Sequence, residues 1–247
     1  MRRTSTLLLA GLLAALRPAL AGPPFITDDP EPVDFGHHEF YIASQQVKTQ
    51  DGRSGTLPHF EFNYGFATDA MVHVLLPNAF NVPAGGSMQS GPGDVELGMK
   101  YRFLHETSAL PEAAVFPLVE VPAGDASRGL GNGATQFFLP LWLQKNWGSW
   151  QSYGGGGYWI NRAAGMRNHW FFGWVVQHDL NDHLTLGAEL YHNGEQAVGI
   201  PQYMGFNLGG QYNFDEHDHL LFSLGRGLSH VAQTDQLTSY VAYQWTW

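Results

Sequence analysis

The feature that most constrains this chain is a strict two-residue alternation of apolar and polar side chains, shown most cleanly at its end. In 236–247, Leu237, Val241, Tyr243, Trp245 and Trp247 fall on one face. Thr238, Tyr240, Ala242, Gln244 and Thr246 fall on the other. A period of two is the signature of a β-strand. The apolar face carries its aromatics at the last residues. Two settings suit such a strand: the final strand of a soluble β-sandwich, or a wall strand of a closed membrane barrel whose aromatic end lies at the lipid–water boundary.

The same pattern recurs along the chain in runs of about nine to twelve residues, the length of a tilted membrane-spanning strand. They lie at 38–49, 56–66, 69–77, 93–104, 112–121, 133–146, 149–160, 168–178, 183–192, 202–213, 217–225 and 236–247. Val95, Leu97, Met99, Tyr101 and Phe103 oppose Glu96, Gly98, Lys100 and Arg102. Leu184, Leu186, Ala188 and Leu190 oppose Thr185, Gly187, Glu189 and Tyr191. A charge on the lipid face costs a few kcal/mol near the midplane, so the polar set is expected to face inward. Twelve is an even number, which returns both ends to one side. The connections alternate as well: five are short, whereas 78–92, 122–132 and 226–235 are long and several are rich in Gly and Pro. Short turns at one rim and longer loops at the other match an outer-membrane barrel, and a soluble sandwich has little reason to show them.

The N-terminus agrees with export. Arg2 and Arg3 precede the apolar run 6–16, and Ala19-Leu20-Ala21 forms a cleavage site, so residues 1–21 read as a signal peptide cut after Ala21. The run is shorter than the ~20 residues of a transmembrane helix, and no other stretch approaches that length. Cleavage leaves nine basic against 22 acidic residues, a net charge of −13. Such a balance argues against a nucleic-acid partner. The chain has no cysteine, which excludes disulfides and thiolate chemistry. Residues 22–37 carry four prolines and four acids and form an extended lead-in, a possible plug or gate through Asp28 and Asp29, before a barrel over 38–247.

Four stretches, at 22–44 (GPPFITDDPEPVDFGHHEFYIAS), 93–104 (GDVELGMKYRFL), 119–148 (VEVPAGDASRGLGNGATQFFLPLWLQKNWG), and 153–161 with 184–192 (YGGGGYWIN, LTLGAELYH), resemble the outer-membrane family named for the MetA pathway of phenol degradation, proposed transporters of Gram-negative bacteria. The resemblance extends over nearly the whole mature chain. It implies a β-barrel that passes small hydrophobic or aromatic compounds. It carries over no catalytic motif and no substrate residue.

Glu61, His73, Glu96, Lys100, Arg102, Glu120 and Glu189 are the expected inward polar residues. They suit either a polar solute path or an interior salt-bridge network, with Lys100 and Arg102 paired to inward carboxylates. Pro117 and Pro140 interrupt neighbouring strands, which suits either a lateral opening in the wall or a plain bulge. His217 and His219 have H-x-H spacing but lie at an expected turn, where solvated polar residues are the simpler reading than a metal site. Gly154–Gly157 lacks the Lys-Ser/Thr of a phosphate loop and suits close backbone approach or a bend. Ser223, Ser229 and His230 could serve a lipid hydrolase, although no G-x-S-x-G is present.

The resulting expectation is an all-β, transmembrane, antiparallel up-and-down barrel of about 12 strands with both termini periplasmic. Its expected function is a passive channel for small hydrophobic or aromatic solutes, with no catalytic residue, metal or cofactor. The alternative is a non-transporting structural or adhesion barrel. Expected partners are outer-membrane lipid, the solute, and the barrel-assembly machinery through the C-terminal strand ending at Trp247.

Overall fold

The computed structural model describes residues 24–247, so the expected signal peptide over 1–21 and its expected cleavage site lie outside the described residues. Alternation becomes strand in fourteen pieces: β1 (His38–Thr49), β2 (Gly52–Ala67), β3 (Ala70–Pro83), β4 (Gln89–Pro92), β5 (Val95–Leu104), β6 (Glu112–Val115), β7 (Leu118–Val121), β8 (Gln136–Trp147), β9 (Trp150–Asn161), β10 (His169–Asp179), β11 (Leu184–Asn193), β12 (Tyr203–Asn213), β13 (Asp218–Gly227) and β14 (Leu237–Thr246). β4 and β5 lie on successive stretches of β3, and β6 and β7 on successive stretches of β5 and β8. Each pair is one wall strand in two pieces, so the wall has twelve positions. β1 pairs with β14 from Glu39↔Thr246 to Lys48↔Leu237, which closes the antiparallel ring and leaves no free edge. His38 and Trp247 exchange both backbone hydrogen bonds, at 2.8 and 3.1 Å, so the strand segment begins and ends at one rim.

The outward set is apolar and the inward set mostly polar. Leu97, Met99, Tyr101 and Phe103 are exposed on the outer face, while Lys100 points in and is buried. Leu208, Val241, Tyr243, Trp245 and Trp247 are likewise exposed; Asn207, Thr238 and Gln244 are buried. A soluble monomer seldom exposes so continuous an apolar surface, whereas lipid accepts it. Trp147, Trp150, Trp245 and Trp247 gather at the rim of the termini, with Trp245 and Trp247 stacked at 4.4 Å. They form the aromatic girdle of that boundary.

Two expectations about the loops need correction. The stretch 78–92 is no single long loop: β3 continues to Pro83, and β4 pairs back on it from Asn78↔Pro92, leaving 84–88 as the connection. β2 begins at Gly52 and pairs with β1 at Lys48↔Arg53 and Val47↔Ser54. Here polar residues, Gly and Pro interrupt the alternation, as in Gly52-Arg53-Ser54-Gly55 and around Asn78 and Asn81, so these stretches read as loop. The 122–135 loop is long, as expected, and is pinned by Asp94, whose carboxylate accepts the Ala123 and Gly124 N–H groups at 3.1 and 2.9 Å and that of Asn132 as well. That anchor gives the PAGD and GLGNG segments a common structural role.

The prolines do not create a bulge. Val115↔Leu141 and Leu118↔Phe138 keep one register across Phe116-Pro117, as do Tyr101↔Val115 and Gly98↔Leu118. Proline removes a donor without inserting a residue, so the ladder skips two positions. The Met99 N–H still reaches the Pro117 carbonyl at 3.2 Å. Beside this interruption Gly154–Gly157 thins the wall, since a Cβ on Gly157 would lie 2.5 Å from the Phe138 ring and one on Gly156 2.4 Å from Phe172. Outside the same patch lies an apolar depression of about 1030 Å³ lined by Pro117, Leu139, Pro140, Trp170 and Phe172 among others.

If Leu141 meets lipid, Leu141→Arg should cost about 2–4 kcal/mol in unfolding from lipid vesicles. An unchanged denaturant midpoint would mean that this face does not meet the membrane core.

Candidate functional site: the lead-in and the vestibule above it

Residues 24–35 cross the interior of the barrel. Phe35 forms a bridge with Gly65 at the terminal rim, and the Val33 N–H contacts Met71 Sδ at 3.3 Å. Further in, Lys100 Nζ donates to Asp28 Oδ1 at 3.1 Å, Asp29 Oδ1 at 3.4 Å and the Glu31 carbonyl at 3.2 Å. Its ammonium also lies 5.1 Å from the centre of the Phe116 ring. Lys100 is 0% exposed, so its charge must be met inside, and this segment meets it. The Gln144 amide bonds the Glu31 carboxylate, which ties the segment to β8.

Glu189 on β11 holds the next turn. Its carboxylate accepts from the Thr27 N–H and hydroxyl, both at 2.6 Å, from Ile26 N–H at 3.3 Å and from the Asn207 amide at 2.6 Å. Thr27 fits because the wall opposite it is Gly173, where a Cβ would stand 1.8 Å from the threonine hydroxyl. Phe25 then packs on Tyr153 and Val175, and the Ser223 hydroxyl donates to the Pro24 carbonyl at 2.6 Å. Proline-rich sequence suits this course, because a chain with few N–H groups leaves few donors to satisfy within the lumen.

Above the lead-in, on the side of the longer loops, is a cavity of about 510 Å³. Pro24, Phe25, Ile26 and Asp28 border it. One sector of its wall is aromatic: Phe116, Phe138, Trp142, Trp159 and Phe171. Phe138 stacks on Trp159 at 4.6 Å and meets Phe171 edge-on at 6.3 Å. The other sector is polar. His73 Nδ1 lies 2.7 Å from Asn63 Oδ1 and its Nε2 lies 3.0 Å from Glu96. The Asn63 amide donates to Glu61 at 2.9 Å, and the Gln136 amide donates to Glu120.

The seven polar residues expected in the lumen therefore separate. Glu61, His73, Glu96, Lys100 and Glu120 border the cavity. Glu189 lies against Thr27 of the lead-in. Arg102 lies toward the terminal rim, bonded to Asp69 at 2.7 Å and Glu112 at 3.2 Å. Asp69 occupies the β2–β3 turn, where burial would raise its carboxyl pKa, but Arg102 and His105 outweigh burial and hold it below the ordinary aspartate value. Lys100 and Arg102 both find carboxylates, although those of Lys100 belong to the lead-in rather than to the wall.

The remaining candidates do not converge. His219 bonds Asn213 Oδ1 at 2.8 Å inside, while His217 is exposed in the turn. Ser223 is engaged with Pro24, the Ser229 hydroxyl accepts from Met204 N–H at 3.0 Å, and His230 contacts the Gln202 carbonyl at 3.0 Å. No hydrogen bond among the described residues joins these three. The aromatic sector escapes the expectation that apolar residues face lipid. The runs 137–143 and 170–176 are almost continuously apolar, and that loss of alternation is the signal of grease on both faces.

Removing the amine from a buried ion pair costs about 3–5 kcal/mol. Val33→Cys, the only thiol in such a chain, should react slowly with a maleimide in the folded barrel. Adding Lys100→Met should accelerate that labelling by more than about tenfold. Equal rates would show that Lys100 does not hold the lead-in.

No family model matches the chain, and no curated protein matches it in sequence. Solved structures match it in shape. An outer-membrane channel from Pseudomonas putida F1 superposes with a TM-score of 0.68 at 16% identity, over 89% of this chain and 98% of that one. The KdgM porin gives 0.57 at 11% identity, over 85% and 98%. The translocator domain of the autotransporter NalP from Neisseria meningitidis gives 0.51 at 10% identity, over 85% and 86%. At these identities the likeness is one of fold: this chain has the architecture of an outer-membrane β-barrel.

Proposed function

We propose that this protein is a passive outer-membrane conduit for small hydrophobic or aromatic compounds. It would be exported through a signal peptide cut after Ala21 and inserted by the barrel-assembly machinery acting on the strand that ends at Trp247. The observation that carries this reading is the aromatic sector of the vestibule, Phe116, Phe138, Trp142, Trp159 and Phe171, on the inner face of a membrane barrel. Apolar side chains lining an internal cavity offer an aromatic solute contacts that a water-filled pore lacks. Glu61, His73, Glu96 and Glu120 form the polar side of the path, and Asp28 and Asp29, held by Lys100, its gate. The similarity to an outer-membrane channel and a porin adds support at the level of fold. The aromatic sector favours transport over a purely structural or adhesion role, and the scattered Ser223, Ser229 and His230 give no support to lipid hydrolysis.

The second element of the proposal is the way out. The wall at Pro117 and Pro140 has lost backbone donors, has aromatics inside and an apolar depression outside, and suits sideways release of an apolar solute into lipid. A covalent link between positions 99 and 117 should block transfer of an aromatic solute to the bilayer and leave swelling unchanged. Unimpaired transfer would remove the lateral route.

Liposome swelling tests the conduit itself, using bilayer-impermeant solutes. Phenyl glucoside should enter faster than glucose despite its larger size, and removal of residues 24–35 should speed both. A folded barrel that admits neither solute above the protein-free rate refutes the conduit.

A further inference from the structure

The outer face of the wall carries three cations that the ring itself leaves unmatched. Lys48 on β1 is the direct cross-strand partner of Arg53 on β2 and of Leu237 on β14. Arg226 on β13 lies one step past the pair Gly225↔Thr238, beside Leu237. Leu237 is exposed in phase with Val241 and Tyr243, so the row faces outward, and all three cations are exposed. Lys48 and Arg53 put two like charges directly opposite, about 5 Å apart at Cβ, which is unfavourable unless a counter-charge joins them. The described residues supply none. The lysines and arginines with carboxylate partners are Lys100, Arg102, Lys145 and Arg167. Asp51, in the adjoining turn, is exposed and joins no ion pair among the described residues. Asp235 is turned inward, where it accepts from the Tyr191 hydroxyl at 2.6 Å.

Height and layering narrow the kind of anion that fits. Leu237 is ten residues from Trp247. At about 3.4 Å per residue and a tilt of about 40°, that is a rise of roughly 25 Å, the height of an apolar band. With Trp247 in the girdle at the terminal rim, the three cations stand at the opposite boundary, on the side of the longer loops. Toward the bilayer centre the same face changes in steps. Gln46 and Ser239, the cross-strand pair next to the row, are polar. Ile42 and Val241 beyond them, and Leu224 beneath Arg226, are apolar and exposed. Charged, then polar, then apolar is the profile of a lipid with a phosphorylated headgroup, whereas a free anion would use the first layer alone. Arginine suits phosphate because its guanidinium donates two parallel N–H groups. We propose that Lys48, Arg53 and Arg226 hold the headgroup of a phosphorylated lipid against the outside of the barrel. Lys48 and Arg53 share one phosphate, and Arg226, two strands from Lys48 and so about 10 Å away, engages a second. The site therefore prefers a lipid with two phosphates to a lipid with one. This is independent of transport and uses only the seat of the barrel in a bilayer.

Native mass spectrometry of the full chain in detergent micelles reads the site directly. The probes are lipid A with two phosphates, lipid A with one, and an uncharged diacylglycerol. The two-phosphate lipid should bind about tenfold more tightly than the one-phosphate form, and Arg226→Gln should abolish that difference. Lys48→Gln combined with Arg53→Gln should weaken both phosphorylated lipids by more than about tenfold and leave diacylglycerol binding unchanged. Arg162→Gln removes the same charge from an exposed cation in the β9–β10 loop of the same rim, away from the row, and should change none of the affinities. Migration on unheated gels checks that each variant is folded. Equal wild-type affinities for the three lipids, an effect of Arg162→Gln as large as that of Arg226→Gln, or displacement of the bound lipid by a large excess of inorganic phosphate would each overturn the inference.

Discussion

A lipid bilayer supplies no partner for a backbone N–H or C=O, and everything in this structure follows from that constraint. Strands can cross only if every donor and acceptor finds its mate in a neighbouring strand, so the sheet must close on itself. The junction of β1 with β14 does this over ten residue pairs. Closure then determines the rest: with lipid outside, the outward positions must be apolar, and the inward positions are released to carry charge. The place where the constraint is relaxed, Phe116-Pro117 beside Pro140, is also the place where the wall is thinned by glycine and sheathed by aromatics on both faces. A gap in the ladder is tolerable where bulky rings cover it on both faces.

The interior solves a second electrostatic problem. Carboxylates crowd it, among them Glu39, Glu61, Glu112 and Glu189, all buried. The wall meets them with amides, hydroxyls and a histidine more often than with opposite charge. Tyr41 donates to Glu39, Asn63 to Glu61, Gln144 to Glu112, and Asn207 to Glu189. Neutral donors satisfy a carboxylate without creating a second buried charge that would need its own partner. Arg102, paired with Glu112 and Asp69, and Lys100 are the exceptions, and Lys100 reaches into the lead-in. One of the two inward cations is thus given to a stretch of chain that crosses the lumen outside the sheet.

Most of the wall was legible in the sequence, because alternation is imposed residue by residue by the lipid boundary. β1 runs over the same residues, 38–49, that its pattern marks, and the phase of β5, β11, β12 and β14 follows the apolar set. Legibility fails where the alternation is interrupted. Polar residues, Gly and Pro break it at the outer ends of β2, β3 and β4, so these stretches looked like loop. It fails again at 137–143 and 170–176, where both faces are apolar and the pattern no longer tells in from out. Of the site, Asp28, Asp29 and Lys100 could be singled out as charges in unusual places. That they meet one another was hidden, because contact across the lumen depends on the curvature of the closed wall and not on any local spacing. Trp142 was hidden for the same reason as its aromatic neighbours.

The seating of the lead-in bears on how the molecule is assembled. Its partners are spread around the ring on β3, β5, β8, β9, β10, β11 and β13, and the Ser223 hydroxyl that holds Pro24 lies 199 residues downstream. No subset of adjacent strands can offer that berth before the ring is nearly complete. The stretch that emerges early in synthesis is therefore the last to find its resting position, and it must stay extended and hydrated while the cylinder grows around the space it will occupy. Its acids and prolines suit that wait, since they resist both collapse and premature pairing with the unfinished sheet.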